Sequence, residues 1–170
     1  MSVRFLEKGR RLVVNIRFLE GGEELLEQVG PLWKRLNEHH QNISTHFSQQ
    51  IHQVTFAQRK EHWLQETKSG QLRIDLIQTE DSNKFIGYCV TICNQTHGEI
   101  ESIFVDDTYR KMGFGHLLMK RALDWLDRQS VKTKRVSVAV GNEQVFQFYE
   151  QFGFLPRAIV LEQISKENFN

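Results

Sequence analysis

Val105-Asp106-Asp107-Thr108-Tyr109-Arg110-Lys111-Met112-Gly113-Phe114-Gly115-His116 carries a strand-like run, IESIFV, through a glycine-containing loop and straight into a helix-like run, HLLMKRALDWL. A helix start leaves main-chain N–H groups without partners, and the aligned peptide dipoles add about half a positive charge there, so the junction suits an anion such as a diphosphate. Gly113 and Gly115 allow close approach of the backbone, and Arg110 and Lys111 stand where they can add charge-assisted bonds at the rim. The bare spacing also describes a tight turn with glycine at a helix start. Two phosphate-loop patterns are absent: no GxGxxG opens the first strand and no GK[ST] follows the glycines.

Working outward, Phe114, Leu117, Leu118, Arg121 or Ala122, Trp125 and Leu126 recur at helical spacing, and the alternating run Arg135 to Val140 follows as a strand. Strand, helix and strand in that order form a crossover. Upstream, Gln71 to Gln78, Lys84 to Cys93 and Glu99 to Val105 are strand-like runs separated by the turn-rich EDSN and NQTHG, which predicts an antiparallel meander. Thr55 and Gln58 form a capping box opening a helix over Phe56 to Lys68, with Phe56, Lys60, Trp63 and Leu64 inward. Leu25, Val29, Leu32, Trp33 and Leu36 mark an earlier helix from Glu23 to about His39, interrupted or kinked at Pro31. Val3 to Leu6 and Leu12 to Phe18 predict a small hairpin turning at Gly9. Downstream, Val145, Phe148, Tyr149 and Phe152 give a short helix closed by Gly153, and Phe154 to Ile164 is expected to return as a final strand or pair of strands. The pattern is a mixed α/β domain of helices on a central sheet.

With 170 residues, 39% of them hydrophobic and 12 phenylalanines, the chain has the makings of one packed domain spanning 1–170. A formal charge of +1 gives no overall pull toward nucleic acid or an anionic membrane, and no basic stripe with interleaved aromatics appears. The N-terminal MSVRFLEKGRRLVV lacks the apolar run of about 7 to 15 residues of a signal peptide, which points to the cytoplasm. Cys89 and Cys93 fall roughly 13 Å apart on one strand face, too far for a disulfide, and are expected as core thiols rather than metal ligands.

Arg110-x-x-Gly113-x-Gly115, with its flanking strand and helix, resembles the acetyl-CoA motif of the GNAT superfamily of N-acetyltransferases. A second block strengthens the likeness: strand RVSVAV leads into Asn142 and then Val145-Phe-Gln-Phe-Tyr149-Glu-Gln-Phe-Gly153-Phe154. The resemblance is specific over 98–154, where the acetyl-CoA-binding core is expected, and looser from Asn15 onward. Residues 1–14 fall outside it, as an extra N-terminal strand or hairpin. Val145 departs from the pattern, which usually has a small alanine there. The implied fold is a mostly antiparallel mixed sheet flanked by helices on both faces, with a splayed parallel strand pair at the cofactor site.

The resemblance also implies the site. The main chain of Ile103, Phe104 and Val105 would pair with the pantetheine arm like an added strand. The diphosphate would lie on the amides of Met112, Gly113, Phe114 and Gly115, with Arg110 and Lys111 at its edge. His116, Asn142 and Phe148 would complete the contacts, Asn142 toward the pantetheine or the acyl group.

An amine attacks a thioester only as the free base, whereas an alkyl ammonium has a pKa near 10, so a proton acceptor is required. Glu101 is the preferred base and Glu99 the second, since both share a strand face beside the expected thioester; either carboxylate could instead pair with a basic neighbour or face solvent. The Val105 amide is the expected donor to the developing oxyanion, and Tyr149 resembles the family's general acid for the departing thiolate. On its own, Tyr149 also fits as a core aromatic.

The expected activity is direct transfer of an acetyl group from acetyl-CoA to a primary amine of a small molecule, an amino acid or a protein amino terminus, by a monomer or homodimer with no nucleic-acid or membrane partner. His39, His40, His46, His52 and His62 lie near the expected acceptor region, mostly as surface residues. The polar loop Asn37 to Val54 has no acidic cluster for a polycation. The alternative from another class is a non-catalytic acyl-CoA sensor that kept the loop and lost turnover; intact Glu101 and Tyr149 count against it.

Overall fold

A computed structural model describes residues 1–7, 10–44 and 46–163. Its strands β1 (Ser2–Glu7), β2 (Arg10–Gly21), β3 (Gln71–Thr79), β4 (Phe85–Cys93), β5 (His97–Val105) and β6 (Thr133–Val136) form one sheet in sequence order. Each neighbouring pair is antiparallel except β5 and β6, which run parallel. The expected N-terminal hairpin is therefore present as β1 against β2, while its turn at Lys8 and Gly9 lies outside the described residues.

Helices cover both faces. On one lie α1 (Leu26–Ile43) and α3 (Phe56–Glu66), whose Leu26, Val29, Leu32, Trp33 and Trp63 pack on Ile74, Leu76, Tyr88, Val90, Ile92 and Phe104 of the sheet. On the other lies α4 (Phe114–Arg128), whose Leu118, Met119, Ala122, Trp125 and Leu126 pack on Ile77, Ile86, Cys89 and Ile100. Covering both faces explains why β3 and β4 are buried along most of their length, as their near-continuous apolar sequence demands. Each large aliphatic side chain so buried contributes on the order of 2 kcal/mol.

One polar device joins α4 to the sheet. Asp75, wholly buried, takes bonds from Arg73 Nε at 2.7 Å and from Arg121 Nε at 2.7 Å, and Glu20 closes the cluster against both guanidiniums. A buried carboxylate is tolerable only when paired in this way.

Three segments differ from expectation. Asn37 to Val54 is largely helical, because α1 continues through Pro31 to Ile43 and α2 (Ser48–Gln53) follows; Asn37 Nδ2 donates to the Ile51 carbonyl at 3.0 Å and ties the two together. The polar composition that suggested a loop reflects exposure rather than conformation. Residues 137–140 leave the ladder, since β6 diverges from β5 after the Ile100–Val136 pair and has no partner there. The expected final strand is absent from 154–163: Pro156 lacks an N–H, and the apolar run Ile159, Val160 and Leu161 is exposed with no adjoining ladder. The short helix α5 (Phe146–Glu150) is present, and the chain turns after it at Gly153 with φ 80°. Among the described residues, no helix is long and apolar enough to cross a membrane.

Candidate active-site cleft

The divergence of β5 from β6 opens the sheet. Asp106 N–H donates to the Ile86 carbonyl of β4 at 2.8 Å, and since successive residues of a strand point their amides to opposite edges, the Ile103 and Val105 amides face the gap. Arg110 Nε reaches the Val105 carbonyl at 3.2 Å from the same side. A cleft of about 810 Å³ runs through this gap, lined at one end by Arg110, Lys111, Gly115, Asn142 and Phe148 and at the other by Trp33, Leu36, Ile51, Val54 and Arg59, with Glu101 and Tyr149 between.

At the first end the chain enters α4 through two left-handed residues, Lys111 with φ 63° and Gly113 with φ 85°. The first bond of the helix is Leu117 N–H to the Gly113 carbonyl, so the amides of Lys111 through His116 have no acceptor among the described residues. That cluster of donors suits an anion. A Cβ on Gly113 would meet nothing within 4 Å, so its glycine is required by the positive φ rather than by crowding; a Cβ on Gly115 would contact the Phe148 ring at 3.5 Å.

The remaining sequence-derived candidates divide. Met112 packs at the edge of the core and Phe114 is buried in it, so these two offer main chain and not side chain. His116 stacks on Phe152 with ring centroids 4.7 Å apart, outside the cleft lining. Arg110 pairs with Asp107 at 2.7 Å and lies over the Phe104 ring. Asn142 and Phe148 line the cleft.

Between the two ends, β5 carries a bulge. Val90 of β4 pairs with Ser102 and Thr91 with Ile100, leaving Glu101 unpaired between them. Glu101 and Ser102 consequently both turn to the α1/α3 face: Ser102 Oγ lies 2.7 Å from the Tyr88 hydroxyl, and Glu101 Oε2 accepts from Arg59 Nη2 at 2.9 Å and Trp63 Nε1 at 3.2 Å. Arg59 also lies over the Trp63 ring, 5.0 Å from its centroid. Burial raises the Glu101 carboxyl above the usual carboxylate range, with Arg59 pulling the other way and Glu99 adding to the rise. Glu99 itself is engaged: its Oε1 accepts from Ser137 Oγ at 2.9 Å, and it does not line the cleft.

Tyr149 is buried, 8% exposed, and its hydroxyl meets no partner among the described residues. Burial pushes that hydroxyl up to about 12, so it holds its proton at neutral pH. Behind it, burial likewise pushes the Cys89 thiol up to about 12, which leaves the sulfur a core thiol; Cys93 is also buried and free.

Sequence reasoning missed Arg59 and Trp63 as the partners of Glu101. Their spacing of one helical turn puts them on one face of α3, and that was the available signal. It also missed Arg35, whose Nη1 donates to Asp106 Oδ2 at 2.5 Å and so ties α1 to the loop that leads into α4. Of the five histidines, His39 and His40 line the cleft, with ring centroids 6.1 Å apart, and burial lowers the pKa of His40.

A family model described as the acetyltransferase (GNAT) family matches residues 33–154. The chain is 27% identical over 88 residues to an uncharacterized N-acetyltransferase of Methanocaldococcus jannaschii, a match over 48% of this chain and 39% of that protein, so it spans well under half the length of that curated relative. Among solved structures, a putative acetyl transferase from Pyrococcus furiosus superposes with a TM-score of 0.67 at 18% identity, over 89% of this chain and 100% of that one. An aminoglycoside N-acetyltransferase solved with coenzyme A gives 0.63 at 14% identity, over 90% and 96%. Glucosamine-6-phosphate N-acetyltransferase from Arabidopsis thaliana gives 0.59 at 16% identity, over 88% and 98%.

Proposed function

This chain belongs to the acetyltransferase (GNAT) family, and on that premise we propose that it transfers an acetyl group from acetyl-CoA to a primary amine by direct attack within a ternary complex. The observation that carries the proposal is the run of unaccepted amides from Lys111 to His116, set beside the open edge of β5 in one cleft with Glu101 and Tyr149. The residues fit the donor: a run of unaccepted amides suits a diphosphate, and the outward-facing amide of Ile103 suits an amide-bearing arm laid along the strand.

When bound, acetyl-CoA supplies a thioester whose C–S bond breaks as a C–N bond to the amine forms. Glu101 takes the proton that the ammonium must lose, directly or through one water; its raised pKa moves it toward the operating range of a general base. The Val105 amide donates to the carbonyl oxygen as negative charge gathers there. The attacking nitrogen sheds its second proton to solvent as the amide forms, and Tyr149 gives its proton to the departing sulfur and regains one from solvent.

Titration of the labelled protein with coenzyme A tests the reading. The amide signals of Lys111 through His116 should shift as the ligand saturates, and thiol release from acetyl-CoA should then depend on an added amine. Unmoved signals at saturation would remove those amides from the reading; shifted signals with no turnover for any amine would favour a sensor.

A further inference from the structure

The acceptor end of the cleft contains one carboxylate, Glu101, and that carboxylate is already held by Arg59. Among the described residues, a second cationic group on an acceptor meets no further carboxylate there. Arg59, in contrast, makes both of its bonds to Glu101 through Nη2 alone, to Oε2 at 2.9 Å and to the main-chain carbonyl at 3.0 Å. Among the described residues no acceptor meets its Nε or Nη1, although the side chain lines the cleft and is only 29% exposed. A partly buried guanidinium whose Nη1 group is unused can donate a charge-assisted hydrogen bond to an oxyanion at that nitrogen.

Charge balance during the reaction points the same way. In the resting site Arg59 and Glu101 cancel. Once Glu101 has taken the proton of the ammonium it is neutral, and Arg59 is left as a partly buried cation without a counter-ion, which is costly. An acceptor that brings its own carboxylate close to the amine restores the balance: the amine hydrogen-bonds Glu101 while the carboxylate accepts from the free Nη1 of Arg59. Trp33, Leu36, Ile51 and Val54 supply apolar surface for the rest of the acceptor, beside Asn37, His39 and His40.

We propose that the acceptor is a free α-amino acid with an apolar side chain, its carboxylate held by Arg59 while its amine faces Glu101. This rests on the acetyl-transfer reading of the same cleft, and binding measurements separate the two. L-leucine, L-leucinamide and isoamylamine are titrated calorimetrically into the full chain saturated with coenzyme A, and the same three are assayed for thiol release from acetyl-CoA. Leucine should bind at least tenfold tighter than leucinamide, and its advantage in kcat/KM should reside in KM. In Arg59→Met, which keeps the aliphatic length over Trp63, the ratio of leucine to leucinamide should fall to within twofold. Equal or better binding of leucinamide or isoamylamine by the unmodified protein overturns the proposal without needing any variant, as does a ratio that survives Arg59→Met. Preferential leucine binding with no turnover upholds the site and sinks acetyl transfer; turnover of all three at equal rates does the reverse.

Discussion

Arg59 Nη2 binds Glu101 twice, at the carboxylate and at the main-chain carbonyl, and so clamps a residue that the strand ladder leaves unpaired. A bulge held by a helix on the opposite layer fixes the direction of a carboxylate that a regular strand would aim elsewhere.

Glu101→Gln should lower kcat at pH 7 by on the order of 10²- to 10⁴-fold, the usual worth of a positioned base. Because burial raises the Glu101 pKa, kcat/KM of the unmodified protein should fall on acidification through a value above the ordinary carboxylate pKa of about 4.3. The base is active only when ionised, so the loss runs toward low pH. A pH–rate profile of both forms checks this: without its base the variant depends on free amine, so its rate should climb toward the amine pKa near 10, and an acid limb left at its original position removes Glu101 from the role.

Tyr149→Phe should slow transfer with coenzyme A affinity within about twofold, as expected for a group that acts on the leaving sulfur and not on binding. Since the hydroxyl is pushed up to about 12, no alkaline loss of rate attributable to Tyr149 should appear up to pH ~10. Calorimetry alongside steady-state rates separates the two quantities.

Gly113→Ala and Gly113→Asp divide backbone strain from charge. The added Cβ meets no atom, so Gly113→Ala should cost roughly 1–2 kcal/mol through its φ of 85° alone. Gly113→Asp carries the same strain and sets a carboxylate among amides aimed at a diphosphate, so it should bind coenzyme A at least ~10-fold more weakly than the alanine variant. Equal affinities for the two variants would mean that these amides do not hold the anion.

Asp106→Asn tests the tie between α1 and the loop. The Arg35 guanidinium, with help from Lys84 and the Thr108 amide, holds the buried Asp106 carboxyl well below the usual carboxylate range. A depressed folded pKa contributes stability above the unfolded pKa of about 3.9 and loses it as pH falls through the folded value. The variant should lose about 2 kcal/mol at pH 7, read as a lower urea midpoint, and the gap should narrow between about pH 4 and pH 2.

Gly141→Ala should disrupt the segment that carries Asn142 into the cleft. Gly141 has φ 93°, and its added Cβ would lie 2.4 Å from the Ile43 carbonyl oxygen at the end of α1. Both strain and collision with main chain oppose it, so α1 and the segment bearing Asn142 must separate. A drop in Tm together with a rise in KM for the acceptor is the expected pair of readings.

Much of this protein was legible along the chain. Periodicity and caps marked α3 and α4, the glycine loop marked the run of unaccepted amides ahead of α4, and the apolar runs of β3 and β4 matched a sheet covered on both faces. These features rest on residues within a turn or a strand of one another, where local spacing sets the geometry. Strict alternation, however, sets Glu99, Glu101, Ile103 and Val105 on a single face. The one-residue slip opposite Val90 and Thr91 parts Glu101 from Ile103 and Val105, which pack toward α4, and turns it to Arg59 on α3. Register belongs to two strands at once, and the guanidinium arrives from 42 residues away, so neither can be read from either segment alone.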